Sequence, residues 1–314
     1  MKKKILILGA SGFIGRNLAI SLSKNKNNHV TGTYFKKKIY LKNVKMIKAN
    51  LTIKKEVDKV ICNNDIVIQS AATTSGAKDI ISKPYIHVND NAIINSMVTR
   101  SCYDFKIKHV IFFSCSVMYN PYSRRLQKET DFDPKKIYEG YFGAAHMKIF
   151  VENMCEFYSR LGRNKYTIIR HSNVYGPYDK FSLEKSHVLA GTINKVLSSN
   201  GKISIWGDGK EKRDLIFISD LVNFVKLVIK KQKKNYGLYN VGSEKLISIN
   251  NLANKIIKIS KIKIRKINDL SKKNLKTNIC LDCSKARREF NWKPSINLDI
   301  GIKKTINWYL KQNF

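Results

Sequence analysis

The sequence has no long apolar run. No stretch of its 314 residues approaches the ~20 consecutive apolar residues that cross a bilayer, so a membrane-spanning protein is not expected. Lys2-Lys3-Lys4 precedes four aliphatic residues, but a signal-length apolar core and a small-residue cleavage site are both missing. A cytoplasmic protein with no membrane partner is the expectation. Acid is scarce: 23 Asp and Glu face 59 Lys and Arg, a net charge of +36. Such a surface attracts anions and steers phosphorylated ligands. The lysines are spread over the whole length among many Asn and Ile residues. Zinc-finger spacing, an RNA-binding aromatic motif and an isolated basic tail are all lacking, which argues against nucleic acid as a partner. Cysteine is sparse too, at six residues: Cys62, Cys102, Cys115, Cys155, Cys280 and Cys283. In a large chain of this kind free thiols are expected. Cys280 and Cys283 have C-x-x-C spacing, but no second pair accompanies them and residues 278–283 read as a strand, so no metal is expected. No internal repeat or low-complexity linker divides the chain.

What is present begins at once. Ile5-Leu6-Ile7-Leu8 reads as a buried parallel strand. Gly9-Ala10-Ser11-Gly12-Phe13-Ile14-Gly15 follows, and apolar residues then recur at helical spacing. Strand, glycine turn and helix form the layout of a dinucleotide-binding crossover. Gly9 permits the tight turn, Gly12 lets backbone approach a pyrophosphate, and Gly15 lets helix lie close on strand. The helix N-terminus offers free N–H groups to the phosphates. Ser11, Phe13 and Ile14 within the loop, and Arg16 just after it, join the expected cofactor contacts. The second strand, residues 29–34, is followed by Phe35-Lys36-Lys37-Lys38 and not by the acid that holds a ribose 2′-hydroxyl. Lys36 and its neighbours suit a 2′-phosphate, so NADP is favoured, with NAD as the alternative.

Further strands are expected at residues 44–47, 65–68, 109–113 and 166–170, alternating with helices. This predicts an α/β fold with a doubly wound parallel sheet of Rossmann type. Ala71 and Ala72 follow the fourth strand, where small residues let a cofactor lie on the backbone. Residues 141–161 read as a long amphipathic helix, with Phe150, Met154, Phe157, Tyr158 and Leu161 as a core face or a dimer seam. After about residue 170 turns become denser. The expected division is a cofactor-binding domain over residues 1–170 and a mainly substrate-binding lobe over 171–314, with some segments returning to the first domain.

These features resemble the extended short-chain dehydrogenase/reductase family, nearest its GDP-L-fucose synthase and nucleotide-sugar epimerase branch. The resemblance covers nearly the whole chain. Its marks are the 9–15 loop, Ala71-Ala72, residues 114–119, Lys148, Arg170-His171-Ser172-Asn173-Val174-Tyr175-Gly176-Pro177, Trp206-Gly207-Asp208-Gly209 with Arg213-Asp214, Asn240-Val241-Gly242, and Trp292-Lys293-Pro294. It implies hydride transfer between NADP(H) and a sugar carbon. A Tyr four residues before a Lys would exchange a proton with the sugar oxygen, the Lys would hold the nicotinamide ribose, and a Ser or Thr after strand five would hold the same oxygen.

Lys148 matches that Lys. Ala144 stands where the family has Tyr, and Cys115 where it usually has Ser or Thr. An alanine methyl carries no proton. Ala144 is either an engineered knockout or a natural branch that uses another group. Tyr141 lies about 10 Å along the helix from Lys148 at nearly the same azimuth, one turn from the Ala144 position. Ser114 and Ser116 flank Cys115 and offer hydroxyls. His146, about 200° around the helix from Lys148, should point away. By resemblance His187 is an acid of the epimerisation half of the reaction, its neutral-range pKa suiting proton transfer. The paired Cys of that mechanism falls on Val117. Arg213 would grip the substrate diphosphate, Lys195 is a second phosphate candidate, and Asn173 would sit near the sugar.

Two readings follow. In the first, the chain is an NADP-dependent reductase or epimerase acting on a nucleoside diphosphate sugar, with a GDP-linked sugar as a candidate, for surface polysaccharide biosynthesis, and works as a homodimer. In the second it is a catalytically silent dinucleotide-binding sensor or assembly protein.

Overall fold

The first apolar run becomes the centre of the sheet. In this computed structural model, which describes residues 2–73, 82–183, 186–272 and 275–312, strand β1 (Lys3–Leu8) pairs in parallel with β2 (Asn28–Tyr34) on one side. On the other side it pairs with β4 (Ile66–Gln69), and β3 (Val44–Lys48) lies beyond β2. Next to β4 come β5 (His109–Cys115), β6 (Lys165–His171) and β10 (Tyr236–Val241), all parallel. The seven-stranded order is β10-β6-β5-β4-β1-β2-β3. The expected parallel doubly wound sheet is therefore present. Its seventh strand, β10, comes from beyond residue 170.

Alternation along β1 explains why the sheet is covered on both faces. Ile5 and Ile7 point into one core with α1 (Phe13–Leu22) and α6 (Ile218–Lys231). Leu6 and Leu8 point into the other, with α2 (Lys54–Ile61), α3 (Asn89–Asp104) and α4 (Phe142–Arg160). All four side chains are fully buried, each contributing about 1.5–3 kcal/mol of transfer free energy. The first core runs on into α5 (Val188–Leu197), α7 (Ile249–Ser260) and α9 (Leu298–Leu310), which cover the carboxyl end of the sheet. Two small sheets frame this region: β7 (Asn173–Tyr175), β9 (Lys212–Phe217) and β11 (Leu246–Ser248) form one. The pair β8 (Lys202–Trp206) and β12 (Arg265–Asp269) forms the other.

The chain crosses from β3 at one edge back to β4, beside β1. Connections leave β1 and β4 in opposite directions, and the crevice between their carboxyl ends is the topological switch point where such sheets take ligands.

One expectation is corrected and another is narrowed. Residues 278–283 do not form a strand, because their polar groups have scattered partners. One isolated bridge joins Leu281 to Gln127, while Asn278 N–H donates to the Pro121 carbonyl and Leu281 N–H to Asp214. Cys280 and Cys283 there are free and buried, and among the described residues no cluster of His, Cys, Asp or Glu has metal-site geometry. Of the two readings of the α4 face, core or dimer seam, the core reading does not hold at Phe150, Phe157 and Leu161, which are 47%, 58% and 44% exposed. Met147, Val151 and Cys155 pack into one core of the sheet and Ala145 into the other. No helix among the described residues is long and apolar enough to cross a membrane.

Candidate active site

The glycine loop is a tight turn that admits no side chain at two of its glycines. Gly9 has φ +76°, and a Cβ there would lie 2.6 Å from the Ala71 Cα. A Cβ on Gly15 would lie 2.4 Å from the Gly9 carbonyl oxygen and 2.7 Å from Ser70 Oγ. These two glycines are needed to pack β1, α1 and the turn after β4 together. Gly12 differs. Its Cβ would meet only the Gly9 carbonyl oxygen, at 3.3 Å. Gly12 is the N-cap of α1, no side chain caps the helix, and its first turn holds no acid. Its N–H groups and partial positive charge are left for an anion. Arg16 lies one turn along. Its guanidinium stacks on the Tyr178 ring at 4.2 Å, and Nε is buried with no hydrogen-bond partner among the described residues. Asn17 Nδ2 donates to the Pro177 carbonyl, tying α1 to the turn after β7. Uncapped helix, orphaned guanidinium nitrogen and glycine-only packing fit a dinucleotide pyrophosphate.

Other cofactor candidates surround this point. Gln69 and Asn91 fix the backbone of Ala71 and Thr73, with Asn95 buried behind Gln69. Ala72 is exposed beyond them. Ser11, Phe13 and Ile14 are partly buried in the loop and first turn. Lys36 is exposed past the end of β2. The first acid anywhere in the chain is Glu56, and it is used to cap the Asn50 N–H.

At the carboxyl end of β5 the structure gathers the reactive side chains. Lys148 Nζ donates to the Phe113 carbonyl at 2.8 Å and lies over the Phe112 ring. Burial lowers the Lys148 pKa, with Cys115 and Glu152 opposing. Burial raises the Cys115 pKa, against the pull of Lys148, so the thiol stays protonated. Ser116 is partly exposed beside it. Ser114 is not available to substrate. It is fully buried and donates to Glu152 Oε1 at 2.5 Å, and Glu152 is held by Arg170 at 2.6 Å in a pair about 4% exposed on each side. Tyr119 and Asn240 extend this network.

Tyr141 lies beside Arg213 and Thr277. Burial raises its pKa, the Arg213 cation opposes most, and its hydroxyl bonds Thr277. Cys115 acts electrostatically on both Tyr141 and Lys148. His146 rests on the Phe142 ring at 4.4 Å, as expected of a residue turned from the site.

His187 precedes α5, and its Nδ1–H donates to Asp179 Oδ1 at 2.9 Å. Burial disfavours the imidazolium, but Asp179 outweighs it and holds the pKa above the ordinary value. Asp179 has a fully buried side chain. Nothing in its sequence position announced this pairing. His171, at the end of β6, was likewise passed over. It faces Lys148 and His187 electrostatically, and burial, chiefly, pushes its pKa down to about 4.

The substrate candidates lie on the small sheets. Arg213 donates to the carbonyls of Thr277 at 2.6 Å, Leu275 at 2.9 Å and Lys212 at 2.8 Å. Lys195 donates to the Ser204 carbonyl at 3.0 Å beside the Trp206 ring, with its pKa lowered by burial. Asn173 is exposed and donates to the Asp214 carbonyl at 3.1 Å.

Comparison with known proteins adds to this geometry. The model of the NAD dependent epimerase/dehydratase family matches residues 5–242. The GDP-L-colitose synthase of Yersinia pseudotuberculosis is 25% identical, over 98% of this chain and 98% of its own. The GDP-L-fucose synthase of Azorhizobium caulinodans is 24% identical, over 99% of this chain and 97% of its own. The UDP-glucose 4-epimerase of Thermotoga maritima, solved with UDP-glucose, shares the fold at a TM-score of 0.88 and 23% identity, covering 98% of this chain and 99% of that one.

Proposed function

The chain belongs to the NAD dependent epimerase/dehydratase family, and from that premise we propose that it is an NADP-dependent enzyme that oxidises, reduces or epimerises a nucleoside diphosphate sugar at C4 or a neighbouring carbon. The carrying observation is a juxtaposition. The uncapped glycine-loop helix follows β1, partly buried Lys148 and Cys115 gather at the carboxyl end of β5 in the same parallel sheet, and the Asp179-oriented His187 acts electrostatically on His171 at the end of neighbouring β6.

The 9–15 loop and Arg16 would hold the pyrophosphate, and Lys148 the nicotinamide ribose. A bound nicotinamide dinucleotide supplies the hydride acceptor or donor. The lack of acid between β2 and Glu56, together with Lys36–Lys38, supports NADP over NAD. Around the sugar, Asn173 and Ser116 offer hydrogen bonds, and His187 offers Nε2 as a proton donor. Arg213 and Lys195 supply cations for the diphosphate. GDP-linked sugars are the first to try, since the synthases of GDP-L-colitose and GDP-L-fucose align over nearly their full length. The site of action we assign is the cytoplasm, and the pathway is surface polysaccharide biosynthesis. Exposed Phe150, Phe157 and Leu161 on α4, with Ile93 on α3, support a homodimer joined by these helices.

Calorimetric titration tests the binding half. NADPH should bind more tightly than NADH, and GDP should then bind the NADPH complex, with UDP, CDP and dTDP as comparisons. Equal affinity for NADH removes the role given to Lys36, and failure of every nucleotide to bind removes the sugar-nucleotide reading.

A further inference from the structure

His171 stands where the site lacks a proton carrier. Parallel pairing of β5 and β6 sets its Cα opposite that of Cys115, on strands ~4.8 Å apart. Its ring is 6.2 Å from that of Phe113, whose carbonyl holds Lys148 Nζ. Nδ1–H donates to the Ser172 carbonyl at 2.8 Å. A carbonyl only accepts, so Nδ1 carries the proton and Nε2 keeps its lone pair. Among the described residues the ring's hydrogen bond is the one made through Nδ1. Ala144 lies one turn before Lys148, ~6 Å along the axis, and offers only a methyl.

We propose that His171 Nε2 is the proton acceptor for the sugar hydroxyl that is oxidised, the task a phenol at residue 144 would perform. The role rests on the nucleotide-sugar reading above. In the step, the sugar C–H bond breaks and its electron pair leaves as hydride to the oxidised nicotinamide. The O–H bond breaks, its proton goes to Nε2, and the carbon–oxygen bond becomes a carbonyl. In reverse, the imidazolium returns the proton as the ketone carbon takes the hydride. The groups facing His171 are Lys148 from α4, Cys115 from β5 and His187 ahead of α5. Burial first, then the two cations, keep the imidazole neutral, while the Ser172 bond opposes them. His187 is shifted the other way by Asp179. Two titratable groups pushed apart in one site divide the base and acid roles between them.

Two measurements test this. Carbethoxylation by diethyl pyrocarbonate, mapped by peptide mass spectrometry, needs a neutral imidazole. Between pH 7.0 and 5.5 a free histidine derivative added as an internal reference should slow about eightfold, whereas His171 should hold its rate. A His171 rate that falls with that of the reference overturns the proposal. The second measurement uses NADP+ and the nucleotide sugar that the wild-type chain oxidises. His171→Gln, and His171→Asn as a second variant, should lower kcat by ~10²–10⁴ with KM and NADP+ affinity within about threefold. Adding Ala144→Tyr to His171→Gln should recover at least about tenfold of the loss. Variants with kcat within about threefold of wild type overturn the His171 role alone. A wild-type chain inert with every nucleotide sugar overturns the reading and the role together.

Discussion

Gly12→Ala and Gly15→Ala should separate the two duties of the glycine loop. At Gly15 the added methyl would lie 2.4 Å from the Gly9 carbonyl oxygen and 2.7 Å from Ser70 Oγ, inside contact distance of both. One contact is backbone at a tight turn, and Ser70 is itself anchored to the Leu8 carbonyl at 2.6 Å. Overpacking of this kind costs ~1–3 kcal/mol. For 314 residues the unfolding entropy is about 0.7 kcal/mol per kelvin, so Gly15→Ala should lower Tm by about 2–5 °C. At Gly12 the methyl meets only the Gly9 carbonyl oxygen at 3.3 Å, and the backbone is extended at φ −81°. The apoprotein should lose under about 1 °C. That methyl, however, occupies the face from which a pyrophosphate approaches. A similar overpacking cost there weakens NADPH binding by roughly tenfold to a hundredfold. Thermal melts of the apoproteins and NADPH fluorescence titrations measure both effects. A Gly12→Ala chain that binds NADPH like wild type refutes the cradle. A Gly15→Ala chain with unchanged Tm refutes the packing argument.

Other perturbations have equally definite outcomes. Lys148→Met should cut turnover by ~10²–10⁴ without lowering Tm, because a buried cation whose pKa is depressed by desolvation is replaced by an apolar chain of similar length; steady-state kinetics and a melt check it. Glu152→Gln leaves Arg170 buried without its carboxylate and should cost ~3–5 kcal/mol, or about 5–8 °C in Tm. His109 is buried against Thr167 with its pKa pushed down to about 3. The unfolded chain binds that proton near the ordinary histidine pKa, so stability should fall as pH drops from about 6.5 toward 3, by up to ~1.4 kcal/mol per pH unit. Urea midpoints for His109→Gln should lose that acid limb. The proposed homodimer should sediment as a dimer in the wild type and as a monomer in Phe157→Glu, with the fold undisturbed; a wild-type monomer removes the dimer reading.

The cradle was legible because its information is local. Three glycines, the strand before them and the helix after lie within a few residues, and each glycine answers a contact along the same turn. The sheet was legible for a related reason, since parallel strands buried on both faces read as apolar runs. What the chain brings together over distance could not be read this way. Ser114 looked like a free hydroxyl, but Glu152, 38 residues on, accepts its hydrogen bond. The role proposed for His171 depends on β6 lying beside β5, and the orientation of His187 depends on Asp179 folding back across the turn before α5. The face of α4 was left open between core and dimer seam, because hydrophobicity marks a side chain as apolar without saying what covers it. Met147, Val151 and Cys155 go into the core, and the bulkier Phe150 and Phe157 are left outward.

The central claim is that this crevice transfers hydride to or from a sugar carbon. The direct measurement is absorbance of the reduced nicotinamide while the wild-type chain is incubated with NADPH and GDP-, UDP-, CDP- and dTDP-linked 4-keto sugars, and with NADP+ and the corresponding 4-hydroxy sugars. The account predicts a steady change with at least one nucleotide sugar, abolished in Lys148→Met. Tight NADPH binding with no absorbance change, and no new sugar nucleotide by chromatography to reveal redox-neutral epimerisation, would contradict it and leave a silent dinucleotide-binding protein.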